Sequence, residues 1–169
     1  MSSTTGTSMS LMSILGYNTW LFGNALKDVG TDQFTYRVNE KTNKFDRIAG
    51  HITVARYGLA QMAQIEAPVP SWGSFGEFGM GVQFQEDHAC PPIPEIGQKF
   101  QAITEILMAK LPEAPDSLLS APATLPIPGE NPTMLEQLAF MTMHETYHIG
   151  QLSILKKSMS GVGLMDPGE

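Results

Sequence analysis

From Ser10 onward, apolar residues recur at helical spacing through Leu11, Ile14, Leu15, Trp20, Leu21, Ala25 and Leu26. That spacing marks one face of an α-helix, and Gly30 supplies its stop. Met12, Tyr17 and Phe22 put apolar groups on its other faces, so this first helix is covered on more than one side, by a second copy or by a lid of loop. A polar stretch from Thr31 to Lys44 leads to Ile48, Ile52, Ala55, Leu59 and Met62, the three-four alternation of a bundle seam. This predicts a second helix from Phe45 to Ile65, ended by Pro68 and Pro70.

Residues 67–94 are broken by proline and glycine but carry Trp72, Phe75, Phe78 and Phe84. A packed aromatic loop containing a short helical turn is expected there. Glu95 opens a third helix through Ile96, Phe100, Ile103, Leu107 and Leu111, and Ser117 to Leu119 add one short turn. After a second proline-rich connection, Thr133 and Glu136 have the spacing of a capping box. The helix they open runs to about Met159, with Lys156 and Lys157 near its negative end and Gly161 as its stop. No strand alternation and no repeat is evident. The expected fold is all-α: a four-helix bundle with long connections between helices two and three and between helices three and four. It forms a single domain over residues 1–169, with residues 1–9 disordered.

Composition narrows the function. Ten basic against 17 acidic residues give a net charge of -7, the wrong sign for neutralising phosphates or anionic lipid, so nucleic acid and membrane surfaces are disfavoured. Gly16, Asn18, Thr19, Gly23 and Asn24 interrupt the first helix too often for a membrane span of about 20 apolar residues. No charge precedes Lys27, so the basic start of a secretory signal is missing. The single cysteine, Cys90, cannot form an intrachain disulfide. A soluble cytoplasmic protein is expected.

The chemistry sits on the last helix, in His144, Glu145, Tyr147, His148, Gly150 and Gln151. Residues four apart stack on one helical face, so His144 and His148 can present two imidazoles to one metal ion. His51 lies beside Ile48, Ile52 and Ala55 on the apolar face of helix two. Three neutral imidazoles from two facing helices suit a zinc- or nickel-type ion with an open position. A satisfied core histidine is the plainer reading of His51 taken alone. Gln151, one turn beyond His148, is placed to hold an outer ring nitrogen. Glu145 is a candidate catalytic base, but its position turns it about 100° from His144, which equally suits a polar contact to another helix.

His144-Glu145-Thr146-Tyr147-His148 also spells the metalloprotease helix motif. Its extended form would need a third histidine at 154, where Ile154 stands. A ferritin-like di-iron site needs two Glu-x-x-His pairs, and Glu145 with His148 is the only one present. Gly150 is expected to let a neighbouring helix approach, and Tyr147 to pack rather than react. His88 reads as a solvated loop histidine able to swing over the site. Cys90 has nothing basic beside it in sequence to lower its pKa.

The stretch from His144 through Leu152, with His51 in its Gly50-His51-Ile52 setting, resembles the signature of the DinB-like family of metal-binding helical bundles. The Phe78-Gly79-Met80-Gly81 loop resembles the segment between helices two and three in one branch of that family, and the likeness spans nearly the whole chain. The resemblance implies a three-histidine metal site made by His51, His144 and His148 in an up, up, down, down bundle that is commonly dimeric. It also implies a metal-dependent enzyme, a transferase or hydrolase, with thiol-dependent S-transferase chemistry on a small electrophile and a low-molecular-weight thiol as cosubstrate. The alternative is a homodimer that binds a metal or small ligand without turnover. One departure is visible: an arginine often follows the signature, and Lys156 and Lys157 stand there. Lysine cannot make a bidentate fork, which weakens any anion-binding role carried over to that end.

Overall fold

A computed structural model describes residues 3–79, 81–82 and 89–166. His88, Phe84 and Met80 lie outside the described residues. The chain is all-α there, with no strand among the described residues beyond one isolated bridge between Pro122 and Thr133. Its helices are α1 (Ser3–Leu26), α2 (Phe45–Met62), the short α3 (Phe75–Phe78), α4 (Ile93–Lys110), the short α5 (Asp116–Leu119) and α6 (Met134–Ser160).

The helix ends follow from local chemistry. Helix α6 begins as expected: Thr133 Oγ1 accepts from the Glu136 amide at 3.3 Å and Glu136 Oε2 accepts from the Thr133 amide at 2.6 Å. It stops at Gly161, whose φ of 76° is left-handed backbone that glycine adopts without strain. Helix α2 stops three residues before the expected Ile65. Gln64 turns to φ 56°, and the amides of Gln64 and Ile65 return to the carbonyls of Gln61 and Ala60. Helix α1 covers residues 3–9, which were expected to be disordered. It ends at Leu26 rather than near Gly30, because Asp28 turns to φ 56°. Buried Lys156 of α6 then donates to the Lys27 carbonyl, placing a cation at the negative end of α1.

Two apolar clusters show how the long helices run. Leu11 and Leu15 of α1 meet Leu59, Ile103, Leu107 and Leu138 in one; Phe22 and Ala25 meet Phe45, Ile52, Ile96, Phe100 and Leu152 in the other. The early part of α1 therefore lies beside the early part of α6 and the late parts of α2 and α4. The order is up, down, down, up, which corrects the up, up, down, down order implied by the resemblance. Helices α2 and α4 therefore run parallel, both opposite to α1 and α6. Helix α2 packs most extensively on α6 and then on α4, while α1 packs on α6. No described helix is long and apolar enough to cross a membrane.

Candidate metal centre

The extensive α2–α6 contact brings the three predicted histidines together. His144 Nε2 lies 3.1 Å from His148 Nε2 and 3.4 Å from His51 Nε2. The three ligand atoms all fall within 4.8 Å of one another. Two nitrogens bound to one tetrahedral zinc at about 2.0–2.1 Å would stand about 3.3–3.4 Å apart, close to what is observed.

The outer ring nitrogens decide where the protons sit. His51 Nδ1 meets the carbonyl oxygen of Phe78, an acceptor only, so Nδ1 carries the proton and Nε2 presents a bare lone pair. His148 Nδ1 donates to Gln151 Oε1 at 2.8 Å, which bares its Nε2 too. His144 Nδ1 is buried with no hydrogen-bond partner among the described residues. Its Nε2 thus faces two lone pairs and can satisfy at most one of them by donating. A cation at the point of convergence satisfies all three, so the residues present fit a divalent metal. Burial lowers the His148 pKa and pushes both His51 and His144 down to about 4. The imidazoles are therefore neutral near pH 7, the form that ligates.

Local sequence explains how His51 is held. Phe78, the last residue of α3, is almost fully buried against α2 directly over Gly50, where a Cβ would stand 2.5 Å from the phenyl Cε1. Trp72 meets the same ring edge-on at 5.6 Å. The Arg47 guanidinium lies 4.4 Å above it and donates to the Glu77 carbonyl. Trp72 and Phe78 pack this part of the loop, and Phe78 delivers its carbonyl to His51. In front of the histidines lies a cavity of about 170 Å³, walled by Asn43, Arg47, Ile48, Gly79, Gly81 and Val82.

Glu145 points elsewhere. Its two oxygens accept from Arg56, at 2.8 Å from Nε to Oε2 and from Nη2 to Oε1, and both residues are about 98–99% buried. Arg56 also donates to Thr19 Oγ1 at 2.8 Å, Thr104 Oγ1 at 2.6 Å and the Leu15 carbonyl at 3.3 Å, and lies 4.0 Å over the Phe100 ring. This polar layer separates the two apolar clusters and ties all four long helices. Arg56 escaped the sequence reading, although an arginine among Val54, Ala55 and Tyr57 on a bundle helix signals a buried partner.

Gln151 sits where expected, and its Nε2 donates to the Tyr147 hydroxyl at 3.3 Å. The exposed Tyr147 ring packs edge-on to His148 at 5.0 Å. The space beside Gly150 is open, which corrects the expectation of a helix approaching there. Half-buried Cys90 lies near Asp46 and Arg47 rather than with the histidines. Burial and the Asp46 carboxylate push its thiol up to about 12, so it remains protonated.

No curated protein matches the chain. The sequence profile of the DinB superfamily matches residues 21–152, a span that holds all three histidines, Gly50 and the Arg56–Glu145 pair, and the chain belongs to that superfamily.

Proposed function

We propose that His51, His144 and His148 hold a divalent transition metal of the zinc or nickel type with an open position, and that the protein is a metal-dependent transferase joining a low-molecular-weight thiol to a small electrophile. The observation that carries this reading is the pair of bare Nε2 lone pairs on His51 and His148, aimed at a third imidazole whose outer nitrogen is unpartnered. A bound divalent ion makes a coordinated thiol lose its proton near neutral pH and polarises a substrate oxygen.

The chain's own groups favour a thiol over water as nucleophile. Water activation is commonly assisted by a carboxylate base. Glu145 is spent on Arg56, and no described residue walling the cavity is acidic. The Phe78 carbonyl and Gln151 orient the ligating rings, while Ile48 and Val82 form an apolar part of the cavity wall. A cavity of about 170 Å³ suits small reactants. A cytoplasmic setting, rich in reduced thiols, belongs to this reading.

A homodimer through α1 and α6 also belongs to it. Ile14 and Met143 are 45% and 53% exposed beside an apolar groove that Leu11, Leu135 and Ala139 complete. The two helices are thus apolar on faces that the single chain leaves uncovered.

The test is metal content of tag-free protein purified without added metal, beside His144→Ala. About one equivalent of transition metal per chain, lost in the variant, supports the site; protein that neither contains nor takes up zinc or nickel refutes it. Thiol conjugation assays with His148→Ala as control then separate turnover from binding alone.

A further inference from the structure

The cavity in front of the histidines shares Asn43 and Ile48 with a second groove, of about 310 Å³. Residues 38–48 form one side of this groove, with Val38 and Ile48 among them; Gln151, Ile154 and Leu155 of α6 form the other. Ile48 and Leu155 are buried, whereas Val38 and Ile154 are 50% and 63% exposed, so buried and exposed apolar surface meet along one groove. The loop side is fixed in advance. The amides of Phe45 and Asp46 donate to the carbonyls of Tyr36 and Phe34, each at 2.9 Å, and Thr42 Oγ1 donates to the Asn39 carbonyl at 2.8 Å. Little ordering entropy is then lost when the groove is filled. Gln151 links the groove to the histidines, because it lines the first and its Oε1 accepts from His148 Nδ1 at 2.8 Å.

We infer that this groove is a subsite for an uncharged apolar chain, carried by the molecule whose thiol head occupies the histidine cavity. The inference rests on the metal and thiol reading above and narrows its substrate class. A dry cavity of about 150 Å³ is enough for a six-carbon ring, so the groove has room for a chain of about six carbons. Each methylene laid against Val38, Ile48, Ile154 and Leu155 leaves water, and chain length therefore sets affinity. Val38 and Ile154 are then specificity residues: they bind the chain and take no part in the bond that is made.

The experiment titrates cobalt-loaded protein with 2-mercaptoethanol, 4-mercaptobutanol and 6-mercaptohexanol, followed by absorbance. The three share a thiol at one end and a hydroxyl at the other, and differ in the methylenes between. The expected gradient is about two- to fourfold tighter binding per methylene, roughly thirtyfold or more from the shortest to the longest. It should fall to about threefold or less across the series when Val38→Asn and Ile154→Asn are combined, with metal content and helicity unchanged, since both positions are solvent-exposed. Equal binding of the three thiols by wild type overturns the inference and leaves the metal site standing. So does a gradient that survives the double substitution; if that variant has also lost a dimer in sedimentation, the groove belongs to a second copy of the chain. Cobalt-loaded protein that binds none of the three overturns the thiol reading and this inference together, and protein that takes up neither zinc nor cobalt overturns the metal reading with them. Should the double variant fail to fold, Ile154→Asn alone decides in the same way.

Discussion

Helices α2 and α6 carry two polar clusters a few residues apart, and their difference separates scaffold from site. In the Arg56–Glu145 layer each carboxylate oxygen has a donor, and the guanidinium also reaches Thr19, Thr104 and the Leu15 carbonyl. One turn away, the histidine cluster is only part-buried and incomplete, with two bare lone pairs and one partnerless ring nitrogen. Low dielectric raises the stakes of both. A cluster that closes on itself stabilises and specifies the fold; one left open at a cavity wall leaves polar atoms that an added ligand could satisfy.

The largest test of this contrast is Glu145→Ala. It leaves the Arg56 charge buried and unpaired, and should cost about 3–5 kcal/mol in urea unfolding. Replacing both partners, Arg56→Met with Glu145→Leu, should recover much of that loss. His144→Ala should cost far less in metal-free protein while removing metal binding. Glu145→Ala as stable as wild type would show that the layer is not the structural one.

Acid should act on the other cluster. In chelator-treated protein, burial holds His51 and His144 at about 4 when folded, against 6.5 when free. The unfolded chain therefore binds more protons between those values. The stability that these groups contribute is fully present above 6.5 and is lost as pH falls toward about 4. Replacing both histidines with glutamine should flatten the curve in that window. An unchanged slope would mean that other groups carry the acid response.

Gly50→Ala tests the packing behind the histidine cluster. Its Cβ would overlap the Phe78 ring, so α3 must shift and withdraw the carbonyl that orients His51. Overpacking of this kind costs roughly 1–3 kcal/mol, and a misplaced outer-shell acceptor costs about 10–100-fold in metal affinity. Calorimetric zinc binding with a parallel melt checks both. A variant that keeps wild-type affinity would mean that Phe78 packs without orienting His51.

What the sequence disclosed follows the range of the interactions. The Thr133–Glu136 box and Gly161 act within a few residues, so the start and the end of α6 were legible. The His144–His148 spacing was legible for the same reason. The Arg56–Glu145 pair spans 89 residues, and Phe78 reaches His51 across 27. Such contacts have no periodic trace, and neither does the relative direction of α2 and α4. Gly150 was misread because a helical glycine has several causes and only the neighbour's position decides among them.

The smallest expected effect belongs to Gln151, and it is the most specific. Its oxygen accepts from His148 Nδ1 at 2.8 Å, and its nitrogen donates to Tyr147 at 3.3 Å. Gln151→Leu removes the acceptor without opening the core, because the residue is only half-buried. Zinc affinity should fall about tenfold while the metal-free melting temperature stays within a degree or so, since exposed-edge substitutions cost little. Gln151→Glu keeps an acceptor and should restore affinity, and a carboxylate there makes the imidazole a stronger donor to the metal. Tyr147→Phe should follow Gln151→Leu in direction but by less, because it removes only the contact that orients the amide. If Gln151→Leu instead lowers stability and leaves zinc affinity untouched, Gln151 belongs with the closed polar layer and not with the open one.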